Sequence, residues 1–207
     1  PHQEFLASGR LDNLSSMHAS IVAMINANDG AAIQMIAAFD HEELGSASRS
    51  GASGPLLADV LTRICAGLGA TLDEQHRSLA QSVCLSADTG HAIHPNYPGR
   101  HDPMNQPVLN SGPLLKVNAN QRYATDATGA ALWRRICRAA GIPTQEFVSN
   151  NAMPCGSTIG PLTATRLGIA TIDVGIPLLS MHSARELAGT EDPINLTRAM
   201  EAFLIRD

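Results

Sequence analysis

The chain has 207 residues, with 14 Lys+Arg against 19 Asp+Glu and a formal net charge of -5. A hydrophobic share of 44% against 16% charged residues supplies the apolar surface of a globular core and excludes a disordered or fibrous chain. The acidic balance and the 3% aromatic content offer neither a basic stripe for phosphates nor a set of rings for stacking bases, so nucleic acid is not an expected partner.

In chain order, Leu14, Met17, Ile21, Met24 and Ile25 follow the helical period and predict an amphipathic helix over 11–27. The almost wholly apolar run 31–39 is short and predicts a strand buried on both faces. It leads into Asp40, His41, Glu42 and Glu43. A Gly/Ser-rich loop over 45–54 follows, and Pro55 opens a helix through residue 68. Residues 82–86 predict a strand ending at Ala87 and Asp88, and 89–112, rich in His, Pro, Asn and Gly, a loop. Further on come a strand at 114–117, a helix at 127–140 closed by Gly141 and Pro143, and a strand at 146–149. A helix at 159–167, a strand at 170–174 and helices at 184–187 and 195–205 complete the pattern. Strands alternating with helices predict one α/β domain over 1–207, in three layers (α/β/α) around a central mixed, mostly parallel sheet.

No run approaches the roughly 20 apolar residues of a membrane span, and the start has no basic segment followed by an apolar one, so neither a membrane nor secretion is expected. Cys65, Cys84, Cys137 and Cys155 are scattered without a CxxC pair, which fits free thiols in a reducing, cytoplasmic setting.

Ligands of open α/β sheets bind beyond the carboxyl ends of the strands. The polar residues there are Glu42 and Glu43, Asp88, and His182 after the strand containing Asp173 and Val174, with Asp12 at a helix start. Asp, Glu and His side chains converging at one edge make a divalent-metal site of mixed oxygen and nitrogen ligands. In the adjacent pair Glu42 and Glu43, one carboxylate would bind metal while the other takes a proton from water. Each residue also has a plainer role: the glutamates complement a helix dipole, Asp12 caps a helix, Asp88 begins a turn and His182 is a hydrogen-bonded histidine. Spacing leaves both open.

The strings at 39–46 (FDHEELGS), 86–97 (SADTGHAIHPNY), 116–124 (KVNANQRYA), 155–161 (CGSTIGP) and 173–183 (DVGIPLLSMHS) closely resemble the aspartyl aminopeptidase family of di-metal exopeptidases, in order over nearly the whole chain. The resemblance implies a zinc-exopeptidase fold and a metal-dependent aminopeptidase releasing N-terminal residues, Asp or Glu by preference, from peptide substrates. It implies two zinc ions bridged by Asp12, with Glu43 and His182 completing the shell of one and Asp88 ligating the other; manganese or cobalt also suits such sites. Glu42 takes the place of the general base. Lys116 takes that of the cation receiving an acidic P1 side chain, His91 that of a contact to substrate or to the metal ligands, and Tyr123 that of a donor to the developing oxyanion.

Members of that family are about twice as long, and an upstream His-Thr-Asp type string supplies a metal-binding histidine ahead of an inserted domain that makes subunit contacts. These 207 residues hold neither, and His2 stands in a different context. The chain is therefore expected to be the C-terminal portion of the catalytic domain, incomplete on its N-terminal side, with one metal short of a histidine. The full-length family implies a homo-oligomer; assembly of this chain stays open. The alternatives are an inactive metal-binding or assembly fragment, an aminopeptidase of broader P1 preference, and a thiol hydrolase using Cys155 at a helix start with His182 as base. His94 and His101 read as solvated loop residues.

Overall fold

A short strand, Phe5–Ser8 (β1), passes through Gly9 into the helix Leu11–Asn26 (α1) in the computed structural model, which describes residues 3–28, 30 and 32–206. The helix does not bury the large apolar stripe that its sequence presents. Leu14, Ile21 and Ile25 are exposed, and Leu11, Ser15, Ser16, Ala19 and Ala23 are the buried residues. Small side chains let a helix axis approach its neighbour closely. That neighbour is the final helix Glu191–Leu204 (α6), which buries Leu196, Ala199, Met200 and Phe203.

The strand expected over 31–39 is absent among the described residues 32–39. Ile33 is 63% exposed, and no ladder pairs the segment, so its backbone lacks the partners that a strand requires. Glu42–Leu44 form a single 3-10 turn, ended by Gly45 at φ 89. The helix Leu56–Gly67 (α2) follows Pro55 as expected. A second helix, Leu72–Gln81 (α3), is an addition: Thr71 and Glu74 form a reciprocal capping box, a start signal visible in the sequence.

The remaining strands are Val83–Ala87 (β2), Gly90–His91 (β3), Leu114–Val117 (β4), Gln145–Val148 (β5), Ala170–Gly175 (β6), Pro177–Leu179 (β7) and Glu186–Gly189 (β8). The helices Ala127–Ala139 (α4) and Gly160–Leu167 (α5) lie between them in the chain. Two four-stranded sheets result, ordered β2-β6-β4-β5 and β1-β8-β7-β3. They are continuous: the N–H groups of Asp88, Gly90 and Ala92 donate to the carbonyls of Val174, Ile176 and Leu178, carrying the parallel pairing from β2/β6 into β3/β7. β4/β5 is also parallel, while β4/β6, β1/β8 and β7/β8 are antiparallel. The α/β class with a mixed sheet is the one expected. The short helix expected at 184–187 does not form: 184 and 185 are a bend and 186 and 187 begin β8, because so short a run cannot repay helix nucleation, whereas β1 and β7 on either side satisfy the backbone of β8.

Ile172, Val174, Ile176 and Leu178 of the central strand pack with Leu115, Trp133, Cys137 and Leu196 to form the core. Trp133 is fully buried, and its indole N–H donates to the Thr144 hydroxyl at 3.0 Å, which in turn donates to the Pro113 carbonyl. The core thereby fixes β6 and β7, the strands that lead to His182.

Candidate metal centre

The site is built where β1 and β8 part. Their register ends at the Ser8–Glu186 pair. On one side Gly9 and Arg10, the latter at φ 62, turn the chain to Asp12; on the other His182 itself sits at φ 65. A side chain at Gly9 would put its Cβ 3.2 Å from the Ala184 carbonyl oxygen, so the small residue permits the close passage. Asp12 has non-helical backbone angles and caps nothing. Its Oδ2 lies 2.8 Å from His182 Nε2, and Glu43 Oε1 lies 2.9 Å from the same nitrogen. One ligand atom from each of the three residues falls within 4.8 Å of the others. Desolvation alone would lower the pKa of His182, but the bond to Asp12 and the charges of Glu43, Asp12 and Glu186 raise it above the ordinary value.

Further negative charge gathers beside this group. Burial, then the charges of Asp88, Glu43 and Asp12, push Glu42 up to about 7, with Lys116 opposing. Asp88, just past β2, is raised by burial, with Lys116 pulling it down and the neighbouring Asp12 carboxyl adding to the rise. Lys116 of β4 is buried rather than exposed. Its Nζ lies 3.3 Å from Asp88 Oδ2, also donates to the Thr89 carbonyl, and stands 5.4 Å from the centre of the Tyr123 ring.

His91 lies in β3, and its carbonyl meets His101 Nε2 at 3.1 Å. Its pKa is lowered by desolvation and by the charges of His101, Lys116 and His182, with Asp12 opposing. His101 is not a solvated loop residue: it is 8% exposed and packs edge-on against Phe147. Tyr123 is buried beside Phe147, its hydroxyl pushed up by burial and by Cys155. The Cys155 thiol donates to the Gly156 carbonyl and accepts from the Ser149 hydroxyl. Because α5 begins at Gly160, Cys155 is not at a helix start, and His182 is engaged by Asp12 and Glu43. The thiol-hydrolase arrangement thus lacks both of its elements.

Two carboxylates escaped the sequence reading. Glu186 is 1% exposed, and its oxygens accept the backbone N–H groups of Asp12, at 2.9 Å, and of His182, at 2.6 Å. No local signal marks it, since its segment reads as a helix. Asp173, fully buried, accepts from the Ala124 N–H at 2.6 Å and from the Thr158 hydroxyl, tying two loops to β6. Between those loops and Glu42 opens a cleft of about 570 Å³, lined also by Ser46, Asn120, Arg122 and Ser157. Arg166 of α5 holds the segment behind Glu42 by donating to the carbonyls of Ala52 and Gly54, both at 2.7 Å.

Residues 1–204 match the family model of the aminopeptidase I zinc metalloproteases, M18. The chain belongs to the M18 family. This bears out the resemblance read from the strings. A probable M18 family aminopeptidase 2 of Streptomyces coelicolor is 53% identical over 206 residues, covering 98% of this chain and 48% of the relative. An M18 aminopeptidase from Thermotoga maritima superposes with a TM-score of 0.91 at 26% identity, over 99% of this chain and 47% of that one. The S. cerevisiae mApe1 dodecamer gives 0.84 at 34% identity, over 97% and 45%. The M18 chain spans about half the length of the curated relatives it matches.

The donors fit the family's metal. One imidazole nitrogen and carboxylate oxygens, converging where like charges crowd, are the ligand chemistry of zinc. Asp12, Glu43 and His182 are the residues of the M18 chain that would hold it. His2 lies outside the described residues. Among those described, no helix is long and apolar enough to cross a membrane, and all four cysteines are free.

Proposed function

We propose that the protein is a metal-dependent aminopeptidase that releases N-terminal residues, Asp and Glu by preference, from peptides. The observation that carries this reading is the convergence of Asp12, Glu43 and His182 on one point, with Glu42 beside them at a pKa of about 7. Asp12 touches His182, and its carboxyl raises the pKa of Asp88, which supports a bridging role between two zinc ions, the second held by Asp88; manganese or cobalt are the alternatives. Zinc supplies Lewis acidity toward the scissile carbonyl and lowers the pKa of water.

Glu42 is the general base. Its carboxylate accepts a proton from the attacking water and returns it to the leaving amine nitrogen. The cleft between Glu42 and the loop holding Arg122 takes the peptide. Lys116 supplies the positive potential that favours an acidic P1 side chain, while His91 and Tyr123 contact substrate from β3 and from the buried aromatic pair. The dodecameric neighbour supports a homo-oligomer in the full-length family, and the free thiols support a cytoplasmic setting.

The test is Glu42→Gln, assayed with Asp-terminated peptide and zinc. Turnover falls by about 10²–10⁴-fold while zinc content is unchanged; full turnover overturns the assignment of the base. Wild-type chain that binds zinc without any hydrolysis would instead be the inactive metal-binding fragment.

A further inference from the structure

We infer that Glu186 is a positioning residue of the metal centre, its carboxylate setting the separation of the two backbones that carry Asp12 and His182. The inference rests on the metal-centre reading above. The β1/β8 ladder runs from Phe5–Gly189 to Ser8–Glu186 and stops. Beyond it the two segments diverge through positive-φ turns at Arg10 on one side and at Ser180 and His182 on the other. The N–H groups of Asp12 and His182 therefore have no strand partner, and both sit in part-buried positions where an N–H without an acceptor is costly. Glu186 supplies both acceptors from the last paired position: Oε2 takes Asp12 and Oε1 takes His182.

Few other side chains meet this requirement. An ionised carboxylate presents acceptors only, whereas glutamine would set its NH₂ against one of the two N–H groups. Aspartate is one methylene shorter and cannot span the same gap. Burying a carboxylate at 1% exposure, with no Lys or Arg paired to it among the described residues, is expensive. Both of its hydrogen bonds go to residues whose side chains meet at 2.8 Å, so the cost is borne where the ligand geometry is set. Partners behind metal ligands fix their orientation and thereby the affinity of the site.

A second buried carboxylate provides the comparison. Asp192 is fully buried and accepts the N–H groups of Asn110 and Gly112 at 2.7 and 3.0 Å, with no metal ligand among these partners. Zinc affinity of the 207-residue chain is measured by competition with a chromophoric chelator, well below the melting temperature of the metal-free protein. Glu186→Gln weakens it by about 10–100-fold, while Asp192→Asn lowers the melting temperature and leaves zinc affinity at the wild-type value. Wild-type affinity in Glu186→Gln, or equal weakening in both variants, overturns the inference. Should Glu186→Gln fail to fold, amide hydrogen exchange of the wild-type protein decides: Asp12 and His182 amides protected like those of the β1/β8 ladder support it, and exchange at the rate of exposed loops overturns it. Wild-type chain that takes up no zinc removes the metal-centre reading itself, and this inference with it.

Discussion

Asp12 and His182 occupy equivalent places on two antiparallel segments. Each lies four residues beyond the Ser8–Glu186 pair that ends the β1/β8 ladder, and their side chains meet at 2.8 Å although 170 residues separate them in the chain. The sheet register thus chooses which histidine faces which aspartate. Shifting it by one residue would turn alternate side chains to the other face and dissolve the pair.

The pair predicts the effect of removing the imidazole. Zinc sites of about four ligands bind with roughly 10–16 kcal/mol, so losing one ligand costs about 3 kcal/mol, or on the order of 100-fold in affinity. His182→Ala is expected to show that loss in chelator competition. His94→Ala, in the loop between Ile93 and Pro95, is expected to leave the affinity unchanged.

The carboxylates predict how stability depends on pH. Glu42 rises from 4.5 to about 7, and Asp88 rises too. A carboxyl whose folded pKa is raised favours the folded state while protonated, and that advantage is lost as pH climbs from about 4.5 through about 7. Zinc needs the ionised carboxylates and the neutral imidazole, so its stabilisation grows over the same window. Thermal melts with zinc and with chelator should therefore diverge more at about pH 7 than at about pH 5. An equal gap at both would contradict the assignment, and Glu42→Gln should flatten the decline of the metal-free protein.

Lys116 and Asp88 form the best-buried ion pair among those described, at 3.3 Å. Removing one partner of such a pair leaves the other uncompensated, at a cost of about 3 kcal/mol. Lys116→Met should show this in urea unfolding of the metal-free chain, and zinc should recover part of the loss by supplying positive charge near Asp88. The same variant should lose its preference for Asp-terminated over Leu-terminated peptides; a retained preference would remove Lys116 from substrate selection.

At Gly160 a Cβ would clash with the Asp173 carboxylate, which is held by the Ala124 N–H and the Thr158 hydroxyl. It has no room to retreat. Gly160→Ala should destabilise by about 1–3 kcal/mol, the range of core overpacking, and reduce peptide turnover by disturbing the loops beside the cleft. Gly156→Ala, whose Cβ would meet nothing within 4 Å, is the matched control.

Local pattern was enough wherever a segment's state depends on itself. The apolar period of 11–27, Pro55 before α2, Gly168 after α5 and the strands around Leu115 and Ile172 are legible because capping, turn chemistry and periodicity act over a few residues. The same logic misjudged 31–39 and 184–187, where strand formation depends on whether a neighbour exists to accept the backbone hydrogen bonds: the first has none among the described residues, and the end of the second has β1 and β7. It also misjudged which face of α1 turns inward, since the Ala face fits α6 more closely than the Leu and Ile face does.

Residue types determined what chemistry was available: carboxylates and imidazoles at strand ends, in strings that belong to the M18 family. Tertiary structure alone decided which of them meet. Only the parting of β1 from β8 brings Asp12 to His182, only the turn at Glu42–Leu44 adds Glu43, and only burial together with the neighbouring carboxylates raises Glu42, while packing encloses Lys116. The reason is physical: charge proximity and desolvation are properties of separation in space, and separation in space follows from register and packing, which no local stretch of this chain carries.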